Sequence, residues 1–131
     1  MAKRVITVQR HHTVNHARQL MERNRISALP VVGPQNEALG ILTSTDLARR
    51  LKDETPCGRI MSKSIKTVPA YNDISVAARI MRKNKIHHVI VTNEKTVVGI
   101  ISSLDLLKLI EGKRFEIKQA PTPSKNRKNP R

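Results

Sequence analysis

The rhythm of apolar and polar positions along the chain runs through the same sequence twice. Residues 6–32 (ITVQRHHTVNHARQLMERNRISALPVV) align with residues 66–92 (KTVPAYNDISVAARIMRKNKIHHVIVT) at an offset of 60. Thr7, Val8, Ala17, Met21, Asn24, Ile26 and Val31 fall on Thr67, Val68, Ala77, Met81, Asn84, Ile86 and Val91. After a one-residue gap the offset is 59, and Gly40, Ile41, Ser44, Asp46 and Leu47 fall on Gly99, Ile100, Ser103, Asp105 and Leu106. Identities that keep one order across a whole unit mark an internal repeat. Each copy opens with a short extended piece, Val5–Val8 or Ile65–Val68. Apolar residues then recur at Val14, Ala17, Leu20 and Met21, or at Ile74, Ala77, Ala78 and Met81, a spacing that predicts one stripe on a helix. Asp73 is a candidate N-cap for the second of these helices, with Thr13 at the matching place in the first. A strand (Ala28–Val32, His88–Thr92), a polar turn (Gly33–Glu37, Asn93–Thr96) and a second strand (Leu39–Thr43, Val97–Ser102) follow. A last helix starts near Asp46 or Asp105 and carries Leu47 and Leu51, or Leu106, Leu107 and Ile110.

This grammar predicts an α/β (α+β) fold of two βαββα repeats. One copy alone could not bury its apolar faces; two, related by a pseudo-twofold axis, can pack sheet to sheet with helices outside. The expected division is a first repeat at 1–53, a second at 54–111, the two forming one module, and a basic tail at 112–131 rich in Lys, Arg, Pro, Asn and Ser, expected to be disordered. The stretch Asp53–Gly58, with Pro56, is expected to link the copies. The first copy has no counterpart of Gly58-Arg59-Ile60-Met61, so one of its edges is expected to lack cover unless the tail or a second chain supplies it.

Composition narrows the function classes. With Tyr71, Phe115 and no Trp, the core must be aliphatic. Cys57 is the only cysteine, which excludes an intrachain disulfide and fits a cytoplasmic protein. No apolar stretch is long enough for a membrane span, and the N-terminus lacks the apolar region of a signal peptide, so no membrane partner is expected. The net charge is +15, of which residues 1–110 hold +10, so the folded part is basic in its own right. Such a surface favours anionic partners, and equally fits a solvated surface with none. No nucleophile with a base, no paired catalytic carboxylates and no metal-ligand motif is visible, so neither an enzyme nor a metal site is expected. His11 and His12 lie in a turn without a carboxylate or Cys at ligand spacing.

The chemistry concentrates in Gly40-Ile41-Leu42-Thr43-Ser44-Thr45-Asp46 and Gly99-Ile100-Ile101-Ser102-Ser103-Leu104-Asp105. At a strand-to-helix corner the hydroxyl and the free N–H groups of the first turn converge on one spot, suited to a phosphate. The Asp can accept hydrogen bonds from vicinal hydroxyls such as those of a ribose. Ordinary helix capping explains one such corner equally well. Two corners at matching places, each with its Gly, shift the balance toward a site.

On these duplicated corners, supported by Ile26-Ser27-Ala28-Leu29-Pro30-Val31-Val32, the chain resembles the CBS-domain family, over about residues 4–111. It is similar to a stand-alone tandem pair, or Bateman module. The resemblance implies a regulatory module, without catalysis or a catalytic cofactor, that binds an adenine nucleotide or related adenosine ligand in clefts between the repeats. It implies Asp46 and Asp105 at ribose hydroxyls, and Thr43, Ser44, Ser102 and Ser103 near ribose and phosphate. Ile6 and Lys66, with Val8 and Val68, take the adenine positions, while Ser27-Ala28 and His87-His88 face the phosphates. Because Ser27-Ala28 brings no charge, the sites are expected to be unequal, with phosphates drawn to the histidine side. Adjacent residues of a strand point to opposite faces, so one of the two histidines at most is expected to line a given pocket; a core-edge and a solvated histidine are the alternative reading. The family also implies a homodimer and an unidentified protein partner. The competing function is a basic nucleic-acid-binding adaptor or interaction subunit with vestigial nucleotide sites. Arg79, Arg82 and Lys83 share a helix face, read as solvated or as an anion-binding patch, but the aromatic platforms usual for single strands are missing.

Overall fold

The computed structural model describes residues 5–111. In the first copy, β1 (Val8–Gln9), α1 (Val14–Asn24), β2 (Ala28–Val32), β3 (Ala38–Thr43) and α2 (Ser44–Leu47) follow in order. A short α3 (Cys57–Ile60) leads into the second copy: β4 (Thr67–Pro69), α4 (Ile74–Asn84), β5 (His88–Asn93), β6 (Thr96–Ser102) and α5 (Ser103–Leu109). Each copy is a three-stranded sheet, β1-β2-β3 or β4-β5-β6. The first pair is parallel and the second antiparallel. A parallel pair needs a crossover, which α1 and α4 supply. The tail expected at 112–131 lies outside the described residues.

The periodicities act as expected. Along β2, Leu29 and Val31 face the cluster that contains Val14, Ala17 and Met21 of α1. Val89 and Val91 of β5 do the same against Ala77 and Met81 of α4. The opposite faces meet between the sheets, where Val32, Ile90 and Val97 are buried with Val5, Ala38 and Ile65 against them. The turn before β3 reinforces this seam. Val97 N donates to the Asn36 carbonyl at 2.9 Å, and Asn36 Nδ2 to the Val97 carbonyl at 3.2 Å.

The two helices match down to their ends. Both close on a left-handed residue, Arg25 at φ 55° and Lys85 at φ 56°, and Ile26 N and Ile86 N return to the carbonyls of Met21 and Met81 at 3.0 Å. Their N-termini differ. Thr13 Oγ1 accepts from His16 N at 3.1 Å, whereas Asp73 holds the N-cap position without a side-chain cap bond to the helix backbone, and its carboxylate accepts from the Ser75 hydroxyl at 2.7 Å. The lead-in strands differ as well. Ile90 N donates to the Lys66 carbonyl at 3.0 Å, but the matching residue of β2 is Pro30, which has no N–H.

The edge of the first copy that the sequence leaves without cover is closed by the chain leading to the second copy. Cys57, Ile60 and Met61 pack into the first copy's core. Cys57 N donates to the His12 carbonyl at 2.7 Å and Gly58 N to the Arg10 carbonyl at 2.9 Å. Ile41 and Ser62 exchange both backbone bonds, at 3.0 and 2.9 Å, as an antiparallel bridge. The stretch Asp53–Gly58 thus runs between the copies and also binds the first: the Asp53 and Thr55 carbonyls accept from Asn15 N and Val14 N at the start of α1. Neither the tail nor a second chain is needed at that edge.

Cys57 is fully buried, and burial pushes its thiol up to about 11 from an ordinary 9.0. Between those values the unfolded chain sheds a proton that the folded chain keeps, so this contribution to stability is complete below pH 9 and is lost as pH rises toward 11. The stability advantage of the wild type over Cys57→Ala is therefore expected to narrow across pH 9–11 in urea denaturation. A constant difference would show that the thiol titrates alike in both states.

Candidate functional site

Each strand-to-helix corner is locked by a reciprocal cap. Thr43 Oγ1 accepts from Asp46 N at 3.3 Å, and the Asp46 carboxylate accepts from Thr43 N at 2.9 Å. In the second copy Ser102 Oγ accepts from Asp105 N at 3.0 Å, and the Asp105 carboxylate accepts from Ser102 N at 2.9 Å. Both are capping boxes. The capping reading of these residues is thus correct, and it leaves each carboxylate a second oxygen that takes no bond from a described residue. A further pair fixes each corner to the start of the neighbouring strand: Ser44 N donates to the Ser27 carbonyl at 2.8 Å and Ser103 N to the His87 carbonyl at 2.9 Å.

Face-to-face packing sets each corner opposite the lead-in of the other copy, and two clefts result. The Asp105 cleft, of about 210 Å³, joins Val5, Ile6 and Arg25–Ala28 of the first copy to His88, Gly99, Ile100, Ser102, Leu104, Asp105 and Lys108 of the second. The Asp46 cleft, of about 480 Å³, reverses the contribution. Ile41, Thr43–Asp46 and Ser27 come from the first copy, and Ser62, Ser64–Lys66, Ile86–His88 and Ile90 from the second. Of the residues singled out in the sequence, Ile6, Ala28, Ser102 and Asp105 line the first cleft, and Thr43, Ser44, Asp46, Lys66 and His87 the second. Ser27 and His88 line both.

Three expectations need correction. Val8 and Val68, assigned to adenine, line neither cleft. They are 1% and 4% exposed, on the faces packed against the helices. Ser103 lies away from the Asp105 cleft lining, with its hydroxyl 3.3 Å from His87 Nδ1. Both histidines of the His87-His88 pair line the Asp46 cleft. Strand alternation does not separate them, because β5 begins at His88 and His87 sits in the preceding bend.

Sequence reasoning missed the cations of the Asp105 cleft. Arg25, the left-handed residue closing α1, and Lys108 of α5 both line it, so the side served by Ser27-Ala28 is not without charge. Their repeat partners, Lys85 and Arg49, are basic too, which was the available signal; those two do not line the Asp46 cleft. His88 is half-buried. Burial holds its imidazole below the usual histidine range, with repulsion from His87 adding to this and the Asp105 carboxylate opposing it. Among the described residues no group of three or more His, Cys, Asp or Glu converges to hold a metal ion. The rings of His11, His12 and His16 do lie close together, with centroids 4.6 and 4.8 Å apart and planes tilted by 49° and 52°, and His12 Nδ1 accepts from Gln9 N at 2.9 Å, so one of its nitrogens is committed to the turn. Among the described residues no helix is long and apolar enough to cross a membrane.

The motif glycine of the first copy has a steric reason. A Cβ on Gly40 would lie 2.7 Å from the Ser62 carbonyl oxygen and 2.7 Å from Met61 Sδ. Only glycine lets the strand that wraps the first sheet approach and carry Ser62 and Ser64 to the Asp46 cleft. Gly40→Ala is expected to cost about 1–3 kcal/mol in urea denaturation. A variant as stable as the wild type would mean the approach is not close.

The CBS domain family model matches residues 1–53 and again residues 57–112. Among curated proteins, a homoserine O-acetyltransferase of Methanosalsum zhilinae is 35% identical over 112 residues, covering 84% of this chain and 23% of its own length. The chain spans between 22% and 38% of the length of the first curated relatives it matches. Among solved structures, the CBS domain pair of protein MJ0100, in complex with 5′-methylthioadenosine and S-adenosyl-L-methionine, superposes with a TM-score of 0.78, at 28% identity over 87% of this chain and 94% of that one. PAE2072 from Pyrobaculum aerophilum, a CBS domain protein complexed with AMP, shares the fold at a TM-score of 0.72 and 22% identity, over 83% of this chain and 93% of its own.

Proposed function

The chain belongs to the CBS-domain family as a tandem pair, and on that premise we propose that it is a regulatory module whose two clefts take adenosine-containing ligands. The observation that carries this reading is the cross-copy construction of each cleft, with a capped aspartate from one repeat facing the lead-in of the other. In the Asp105 cleft, the adenine lies against Ile6, the ribose hydroxyls donate to the carboxylate oxygen that the cap leaves unused, and Ser102 sits close to the sugar. Arg25, Lys108 and His88 receive the phosphates. In the Asp46 cleft, Lys66, Asp46, Thr43 and Ser44 take the corresponding places, with the His87-His88 pair toward the phosphates. The adenosine compounds named with the MJ0100 pair support this ligand class. A ligand that touches both repeats changes their relative packing only by its differential affinity for the two arrangements, and that is the regulatory output.

The expected test is a thermal shift against a panel of AMP, ADP, ATP and S-adenosylmethionine at moderate salt. At least one compound should raise the midpoint. Asp46→Ala and Asp105→Ala should each weaken binding at their own cleft by about 10- to 100-fold, the range for a lost hydrogen bond to a charged group. Flat shifts for the whole panel, together with salt-sensitive retardation of DNA or RNA, would favour the basic nucleic-acid adaptor instead.

We also propose the homodimer. Leu104, Leu107 and Ile110 are 60%, 59% and 59% exposed at three-residue intervals along α5 and the turn after it, and Ile74 opens α4 at 42%. An apolar stripe of this kind favours a second copy over water. Leu107→Glu is expected to shift the mass measured by light scattering toward the monomer; an unchanged mass would move the interface elsewhere.

A further inference from the structure

One imidazole stands at the boundary of both clefts. His88 opens β5, pairs in register with Ser102 and lines the Asp46 and the Asp105 clefts alike. Its repeat partner, Ala28, has no polar side chain, so the wall between the clefts carries a single titratable ring from this pair of positions. Neither ring nitrogen of His88 is bonded to a described residue, whereas His87 approaches the Ser103 hydroxyl. A half-buried imidazole with both nitrogens free is an unspent hydrogen-bonding group.

We propose that His88 couples the two clefts: an anionic ligand in either one charges the imidazole, and the charged ring strengthens the other cleft for a second anion. This rests on the ligand reading above. The groups facing His88 fix its resting state. His87 before the strand, Arg25 at the end of α1, Lys108 on α5 and Lys66 on the lead-in are cationic or ionisable to cations, while Asp105 and Asp46 are the carboxylates of the two corners. Burial and His87 disfavour the charged ring, and the Asp105 carboxylate opposes them. A phosphate in one cleft favours the protonated ring, and the second phosphate then meets a charge that the first has already induced.

Linkage gives the size and the pH signature. If each phosphate raises the imidazole's proton affinity tenfold, the coupling reaches about threefold when the pH is about one unit above the resting value, and it fades below that value because the ring is already charged. Positive coupling of this kind makes the isotherm of each individual site steeper than a simple hyperbola. Two independent sites give hyperbolas however unequal they are.

The test is an NMR titration of the full chain with AMP, reading the Leu104 amide for the Asp105 cleft and the Thr45 amide for the Asp46 cleft. About one unit above the His88 titration midpoint read from its own ring resonance in the free protein, both curves should be steeper than hyperbolic; well below that midpoint both should relax to hyperbolas, and adenosine, which lacks phosphate, should give hyperbolas throughout. His88→Gln keeps a hydrogen-bonding side chain but cannot take up the proton. It should abolish the steepness and the proton uptake seen by calorimetry in buffers of different ionisation enthalpy. Hyperbolic wild-type curves with AMP about one unit above that midpoint, steepness that survives in His88→Gln, or response of one amide alone would each overturn the coupling while leaving the ligand reading intact. Absence of any adenosine ligand at either cleft would overturn both.

Discussion

Each copy's three-stranded sheet has a helix on one face and nothing of its own on the other. That unpaired face is the constraint from which the rest follows. Val32 in one copy and Ile90 and Val97 in the other are each 4% exposed or less, and they reach that state only against the opposite sheet. Burial of an aliphatic side chain of this size is worth about 1.5–3 kcal/mol, so the copies cannot part without losing the seam. Because the seam relates the copies by a pseudo-twofold axis, it sets the corner of one opposite the lead-in of the other, twice. The clefts are a by-product of how the sheets cover each other.

The corners show how one residue serves structure and site together. Asp46 and Asp105 each spend one oxygen on the backbone of the residue that caps the same helix. The cap fixes the carboxylate in place before any ligand arrives. Pre-organisation of this sort lowers the cost of binding, and it explains why capping and ligand recognition are not rival readings of these residues. Helix stability alone accounts for the aspartates as caps; it does not account for both lining clefts walled by the other repeat.

Much of this was legible in the chain. The helix stripes, the strand alternation and the offsets of 60 and 59 fixed two sheets, their helices and the matching corners, because each rests on local periodicity. What the sequence hid depends on which copy a segment packs against. Gly58-Arg59-Ile60-Met61 precedes the second repeat in the chain yet covers the first, a long-range choice made by Cys57, Ile60 and Met61 entering the first core. Val8 and Val68 belong to the lead-in strands, and only the sheet pairing reveals that their side chains turn toward the helices. Arg25 and Lys108 entered the Asp105 cleft unforeseen because one ends a helix and the other follows a corner by a turn, and only the packing of the two copies brings them to one cleft. The sharing of His88 between clefts is likewise a property of the assembled seam, not of either repeat.

The account's central claim is that each cleft is completed by both repeats. Intermolecular nuclear Overhauser effects from a bound adenosine ligand test it most directly. The expected result is that one ligand molecule gives adenine contacts to Ile6 of the first copy together with ribose contacts at Ser102 and Leu104 of the second. Contacts confined to a single repeat, or to residues outside both clefts, would contradict it.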